Sequence, residues 1–74
     1  MADWVVQTRG RYAGRIGTVQ LDDDLGFKHV RFGPRDPIVM LRDASLRQAT
    51  QTEIADRLGC RVQDLPPYLK DAPK

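Results

Sequence analysis

Three guanidinium groups and a phenol fall within seven residues near the start of the chain. They are Arg9, Arg11, Tyr12 and Arg15 in "RGRYAGRIGTVQ", residues 9–20. Guanidinium forks pair with phosphates and carboxylates, and an aromatic ring stacks on a nucleobase. Gly10, Gly14 and Gly17 are interleaved with them, and their spacing decides which chemistry is open. A phosphate-cradling P-loop needs four residues between glycines and then Gly-Lys-Ser/Thr at a helix start. Here Arg15 follows Gly14 and β-branched residues follow Gly17, so neither that loop nor a dinucleotide fingerprint is present. The glycines therefore shape backbone: they supply positive φ at strand ends, or let two backbones approach closely. Gly17, inside a β-branched run, predicts a bulge or sharp coil and a position that a methyl cannot share.

The other chemistry-bearing residues have less to offer in type and spacing. Lys28, Arg31 and Arg35 extend the basic set. Asp22-Asp23-Asp24 lacks the spacing and the glutamate of a calcium loop and reads as a solvated turn. His29 has no metal-ligand or nucleophile partner in sequence, so it reads as a strand-surface residue. Cys60 is the single cysteine; it forms no intrachain disulfide or cysteine-rich zinc site and reads as a small hydrophobe. "TEIADRLGCRVQDLPPYL" resembles a helix-turn-helix in part, through Ala55, Gly59 and Leu65. Pro66 and Pro67, however, fall inside the would-be recognition helix, where proline removes hydrogen bonds and clashes with the preceding turn. No Ser/His/Asp or Cys/His set exists, so the expectation is a non-enzyme with no metal and no cofactor. Catalysis would need a site shared across an oligomer axis.

Those residues must be positioned by a chain of 74 residues, enough for one domain with a single small core. Twelve Lys and Arg against ten Asp and Glu leave a net charge of +2, and nine of the twelve cations are Arg. The basic excess lies in the first two thirds, split by the acidic turn. The start, "MADWVVQTRG", has no signal-peptide character, and no apolar run is long enough to span a membrane. A cytoplasmic protein is expected.

Strands are predicted at 4–8 (WVVQT), 15–21 (RIGTVQL), 27–32 (FKHVRF) and 38–41 (IVML), with a short fifth near Leu46. Val19 and Leu21 are in phase and expected to face the core, as are Val30 and Phe32; Phe27, His29 and Arg31 take the other face. The run 38–41 is expected to be buried on both faces. Gly-Pro-Arg-Asp-Pro, 33–37, is a loop. In "TQTEIADRLG", 50–59, Thr50 and Glu53 form a capping box and Gly59 a terminator. Ile54, Ala55 and Leu58 make the apolar stripe, with Ile54 and Leu58 expected to dock the helix. Residues 66–74 are expected to be a flexible tail. Five short strands with turns between them point to a small closed barrel.

The spacing Gly10, Gly14, Gly17, Val19, with Arg11, Tyr12 and Arg15 in the loop and "KHVRF" downstream, resembles the KOW motif over about residues 4–33. The resemblance implies an SH3-like barrel of the kind found in NusG-type transcription factors and ribosomal proteins, whose first loop often touches RNA, DNA or a protein. The combined expectation is a mainly β protein. An SH3-like β-barrel of about five antiparallel strands fills 1–49, and a helical segment at 50–65 packs on it. The expected function is weak, non-specific binding of RNA or DNA through Arg9, Arg11, Tyr12, Arg15, Lys28, Arg31 and Arg35. The alternative is a protein–protein adaptor.

Overall fold

A computed structural model describes residues 4–73; residues 1–3 and Lys74, the outer ends of the first and last predicted segments, lie outside the described residues. Five strands form one antiparallel sheet: β1 Trp4–Gln7, β2 Ile16–Asp22, β3 Phe27–Arg31, β4 Val39–Arg42 and β5 Leu46–Gln48. One helix, α1 Gln51–Leu58, follows. The mainly β class and the five antiparallel strands match the expectation. Closure does not: the strand order is β4-β3-β2-β1-β5, with β4 and β5 as opposite, unpaired edges. The cause is the connection between them. Asp43–Ser45 forms a single 3₁₀ turn with extended residues on both sides. This is a corner that carries the chain to the far edge, not a hairpin that folds β5 back on β4.

The sheet separates two apolar clusters, and alternation along β1 feeds both. Val5 joins Val30 and Phe32 on the inner side, with Tyr12, Val19, Val39, Leu41 and Leu46 against them. Trp4 and Val6 face outward, to a cluster of Ala49, Ile54, Ala55, Leu65 and Leu69. The inner side closes tightly at Gly17, opposite Val5. A Cβ there would lie 2.8 Å from the Arg31 carbonyl oxygen, 2.8 Å from Val30 and 2.9 Å from Phe32. Gly17 itself sits in regular pairing; the bulge lies three residues on. Val19 pairs with Val30 but Leu21 with His29, so Gln20 is the extra residue. That slip turns Leu21 to the face of His29, away from the core where simple alternation put it, and leaves it exposed.

Strand β4 corrects a second expectation. Val39 and Leu41 pack inward, whereas Ile38 and Met40 are exposed. An edge strand is covered on both faces only when something packs outside it, and α1 sits over β1 and β2 instead.

Eight residues of helix are too few to be stable alone. Here both capping-box bonds form: Glu53 N–H donates to Thr50 Oγ1 and Thr50 N–H donates to Glu53 Oε1. Arg47 on β5 adds a bidentate pair to the Glu53 carboxylate, at 2.8 and 2.7 Å. The Arg47 guanidinium, then the Thr50 amide, hold the Glu53 carboxyl at about 2. This depressed value makes the link a stabilising contact above the ordinary carboxylate range, lost as pH falls toward 2. Ile54 is 1% exposed and Ala55 3%, and they dock the helix. Leu58, expected to share that role, is 47% exposed, because it faces a recess lined by Trp4, Thr18 and Arg31 and not the packed cluster.

The segment at 66–74, a flexible tail by its sequence, differs from that expectation. Over its described residues it folds back instead: Pro67–Leu69 makes a 3₁₀ turn and Leu69 is buried. Gln51 holds it, its amide donating to the Lys70 and Ala72 carbonyls at 2.9 Å each and its N–H to the Pro73 carbonyl at 2.7 Å. Proline punctuation here ends helices without freeing the chain. Cys60, expected to pack as a small hydrophobe, is exposed and free, because the left-handed turn at Gly59 carries it off the helix face. Among the described residues no helix is long and apolar enough to cross a membrane.

Two stability predictions follow from these contacts. Gly17→Ala overpacks a backbone contact and is expected to cost about 1–3 kcal/mol in urea unfolding; an unchanged midpoint contradicts the close approach. Ile54→Ala is expected to cost about 2–5 kcal/mol. Leu58→Ala should stay within about 0.5 kcal/mol, and equal losses in the two melts would return Leu58 to the core.

Candidate nucleic-acid interface

Gln7, the last residue of β1, builds the loop that carries the first arginines. It is 5% exposed, and its backbone and side chain all point into the turn. Gln7 N–H donates to the Arg15 carbonyl at 3.2 Å, and Gly14 N–H donates to the Gln7 carbonyl at 2.8 Å. Gln7 Oε1 accepts from Tyr12 N–H at 3.0 Å. Gly10 lies against the same amide: at φ +104° a Cβ there would stand 2.8 Å from Gln7 Nε2. Loop residues 8–15 are thus wrapped round one buried glutamine. Thr8 N–H ties the loop to the Ser45 carbonyl, at the β4–β5 corner.

Tyr12 stacks on Phe32, with ring centroids 4.7 Å apart and planes 9° from parallel. The Arg15 guanidinium lies 5.5 Å from the Tyr12 ring and 5.7 Å from the Phe32 ring, and that of Arg11 is 5.8 Å from Tyr12. Arg15 also pairs with Asp36 at 2.9 Å. One ring face of Tyr12 is therefore spent on Phe32, and Arg15 is partly neutralised. These two residues brace the 8–15 loop against the 33–36 loop.

The topology brings Arg31 and Arg35 to the same end of the sheet. Thr18 pairs with Arg31, so β3 finishes beside the start of β2, and the 33–36 loop lies next to Gly14 and Arg15. A cleft of about 590 Å³ between them is lined by Arg15, Phe32, Pro34, Arg35, Asp36 and Arg57. Arg57 is the residue that sequence reasoning missed. Its only local signal was a place on a solvated helix face, and the docking of α1 swings that face over the cleft. Arg9, Arg11, Arg31, Arg35 and Arg57 are all exposed, and none forms an ion pair with another described residue.

Lys28 is placed elsewhere. It pairs with Asp22 across the β2–β3 ladder, at the opposite end. Its ammonium lies 2.8 Å from Asp43 and 3.3 Å from Asp22, and these carboxylates, Asp43 foremost, raise its pKa above the ordinary value. The acidic turn also sits at that end, where its carboxylates serve the backbone. Asp22 Oδ1 accepts from Asp24 N–H, and Asp23 Oδ1 accepts from Leu25 and Phe27 N–H. His29 Nε2 lies 3.6 Å from Asp23 on the outer face. Among the described residues no three His, Cys, Asp or Glu side chains gather as a metal site.

Gln7→Leu keeps the volume but removes the acceptor of the Tyr12 amide. It is expected to cost about 1–3 kcal/mol and to speed hydrogen exchange at Tyr12; an unchanged exchange rate would show that the loop holds itself. Comparison with family models, with curated proteins and with solved structures returns no match for this chain.

Proposed function

We infer that this protein is a binding module, not an enzyme, which holds RNA or DNA weakly and without sequence preference at its arginine-rich end. One observation carries this reading. Arg31, Arg35 and Arg57 come from three separate stretches of chain to one cleft and its adjoining recess, with Arg9 and Arg11 on the 8–15 loop beside them; none of the five pairs with another described residue, and the acidic turn lies at the far end of the β2–β3 ladder. Unpaired guanidinium groups on a concave surface suit phosphates. Arg15 and Tyr12 act as its brace, and Lys28 takes no part.

The KOW-like glycine spacing and the return of β5 to β1 support reading the open sheet as an SH3-like module. The exposed, unpaired Cys60 suits a reducing, cytoplasmic setting. A protein–protein adaptor is the second reading, favoured by Leu21, Ile38 and Met40, which lie exposed on the outer face of β2, the β4 edge and its approach.

Salt separates the two. Three to five phosphate contacts give a slope of log K against log salt of about −2 to −4, measured with labelled oligonucleotides. Replacing Arg11, Arg35 and Arg57 together by Ala is expected to flatten the slope by about 2–3 without unfolding the protein, since none of the three is buried. Absence of binding at low salt, or an unchanged slope in the variant, defeats the nucleic-acid reading and leaves the adaptor.

A further inference from the structure

On the outer face, one row of side chains runs straight across three strands. Trp4 pairs with Thr18 and Thr18 with Arg31. The middle member is small and its two neighbours are large and flat-ended. A recess of about 310 Å³ opens here, lined by Trp4, Thr18, Arg31 and Pro34, and roofed by Arg57 and Leu58 from the end of α1. It runs into the cleft of Arg15 and Arg35, because both share Ile16, Phe32, Gly33, Pro34 and Arg57 as walls.

We propose that this recess takes a single unpaired nucleobase, between Trp4 and Arg31, of a strand whose phosphates lie on the neighbouring arginines. The inference rests on the nucleic-acid reading of the basic end and names the form of its ligand as single-stranded. Spacing supports it. Trp4 and Arg31 stand two strand separations apart, about 9.5 Å between backbones. A planar group sandwiched between two others needs about 7 Å between their planes. Indole and guanidinium are the side-chain planes best suited to hold a base. Charge supports it as well. Arg31 and Arg57 wall the recess and form no ion pair with another described residue. The apolar rim explains Leu58, which is half exposed at the end of a helix whose other apolar residues are buried. A duplex presents a convex backbone with its bases stacked inside, so it reaches the arginines but not the floor.

Trp4 is the only tryptophan, so its emission reports the recess directly. Full-length protein at low salt is titrated with an oligothymidine, an abasic deoxyribose-phosphate strand of equal length, a duplex, and an acidic peptide containing phenylalanine. The expected result is that oligothymidine quenches Trp4 and binds about five-fold or more tighter than the abasic strand, while abasic strand and duplex bind without quenching. Thr18→Phe places a ring in the recess between Trp4 and Arg31, where the base would lie. It should abolish the quench and the five-fold advantage and leave abasic binding unchanged, which also confirms folding. Leu58→Ala serves as a second variant, expected to weaken the oligothymidine advantage at unaltered stability. Equal affinity for oligothymidine and abasic strand, or equal quenching by the duplex, overturns the recess while charge-driven binding stands. No binding of any nucleic acid overturns both readings, and quenching by the acidic peptide alone assigns the recess to a protein partner.

Discussion

Gly17 and the end of β3 touch backbone to Cα, with no room for a methyl between them, and much of the molecule follows from that contact. Close approach at one point lets a five-stranded sheet coil without a full barrel closure. The coil encloses Val5, Val30 and Phe32 on its inner side. It also sets Phe32 under Tyr12, and so brings the 33–36 loop beside the 8–15 loop. Two loops joined by Arg15 and Asp36, 21 residues apart in sequence, become the two banks of one cleft because β2 and β3 meet so tightly between them.

The charge arrangement is built on this frame. Arginines on both loops, on β3 and on α1 meet at one end, and among the described residues only Arg15 is answered there by a carboxylate, that of Asp36. At the other end every acidic residue of the turn that accepts a hydrogen bond or ion pair does so locally, and Lys28 is held by two of the surrounding carboxylates. A net charge of +2 therefore understates the local field. Concentrating like charges costs self-repulsion, and the molecule spreads that cost over exposed guanidinium groups that stay hydrated.

The helix and the last residues stabilise the outer side of the sheet together. A small domain has little apolar surface to bury. Here the second cluster is assembled from three short pieces: α1, the turn at Val62–Asp64, and the turn at Pro67–Leu69. Gln51 is the link, since its amide donates to two carbonyls of the returning chain. The last helical turn stands over a recess in the sheet instead of packing down on it, and it is there that Arg57 and Leu58 acquire surroundings different from those of an ordinary docked helix.

The local features were legible in the sequence. β-Branched runs between turn residues marked the strands, alternation placed Val30 and Phe32 inside, the Thr50–Glu53 spacing marked the helix start, and the interior Gly17 marked a close approach. Each is encoded by a few adjacent residues acting on their own backbone. What tertiary structure decided depended on residues far apart. The bulge at Gln20 reversed the facing of Leu21, because register is set by the partner strand. The corner at Asp43–Ser45 left the sheet open and β4 half covered. Docking of α1 added Arg57 to the basic end, while the β2–β3 ladder took Lys28 to the opposite one. Gln51 anchored a proline-rich segment that local propensity alone leaves loose. Period and propensity act over one turn or one strand, whereas register, edge position and the sharing of a cleft are settled only when distant segments compete for the same partners.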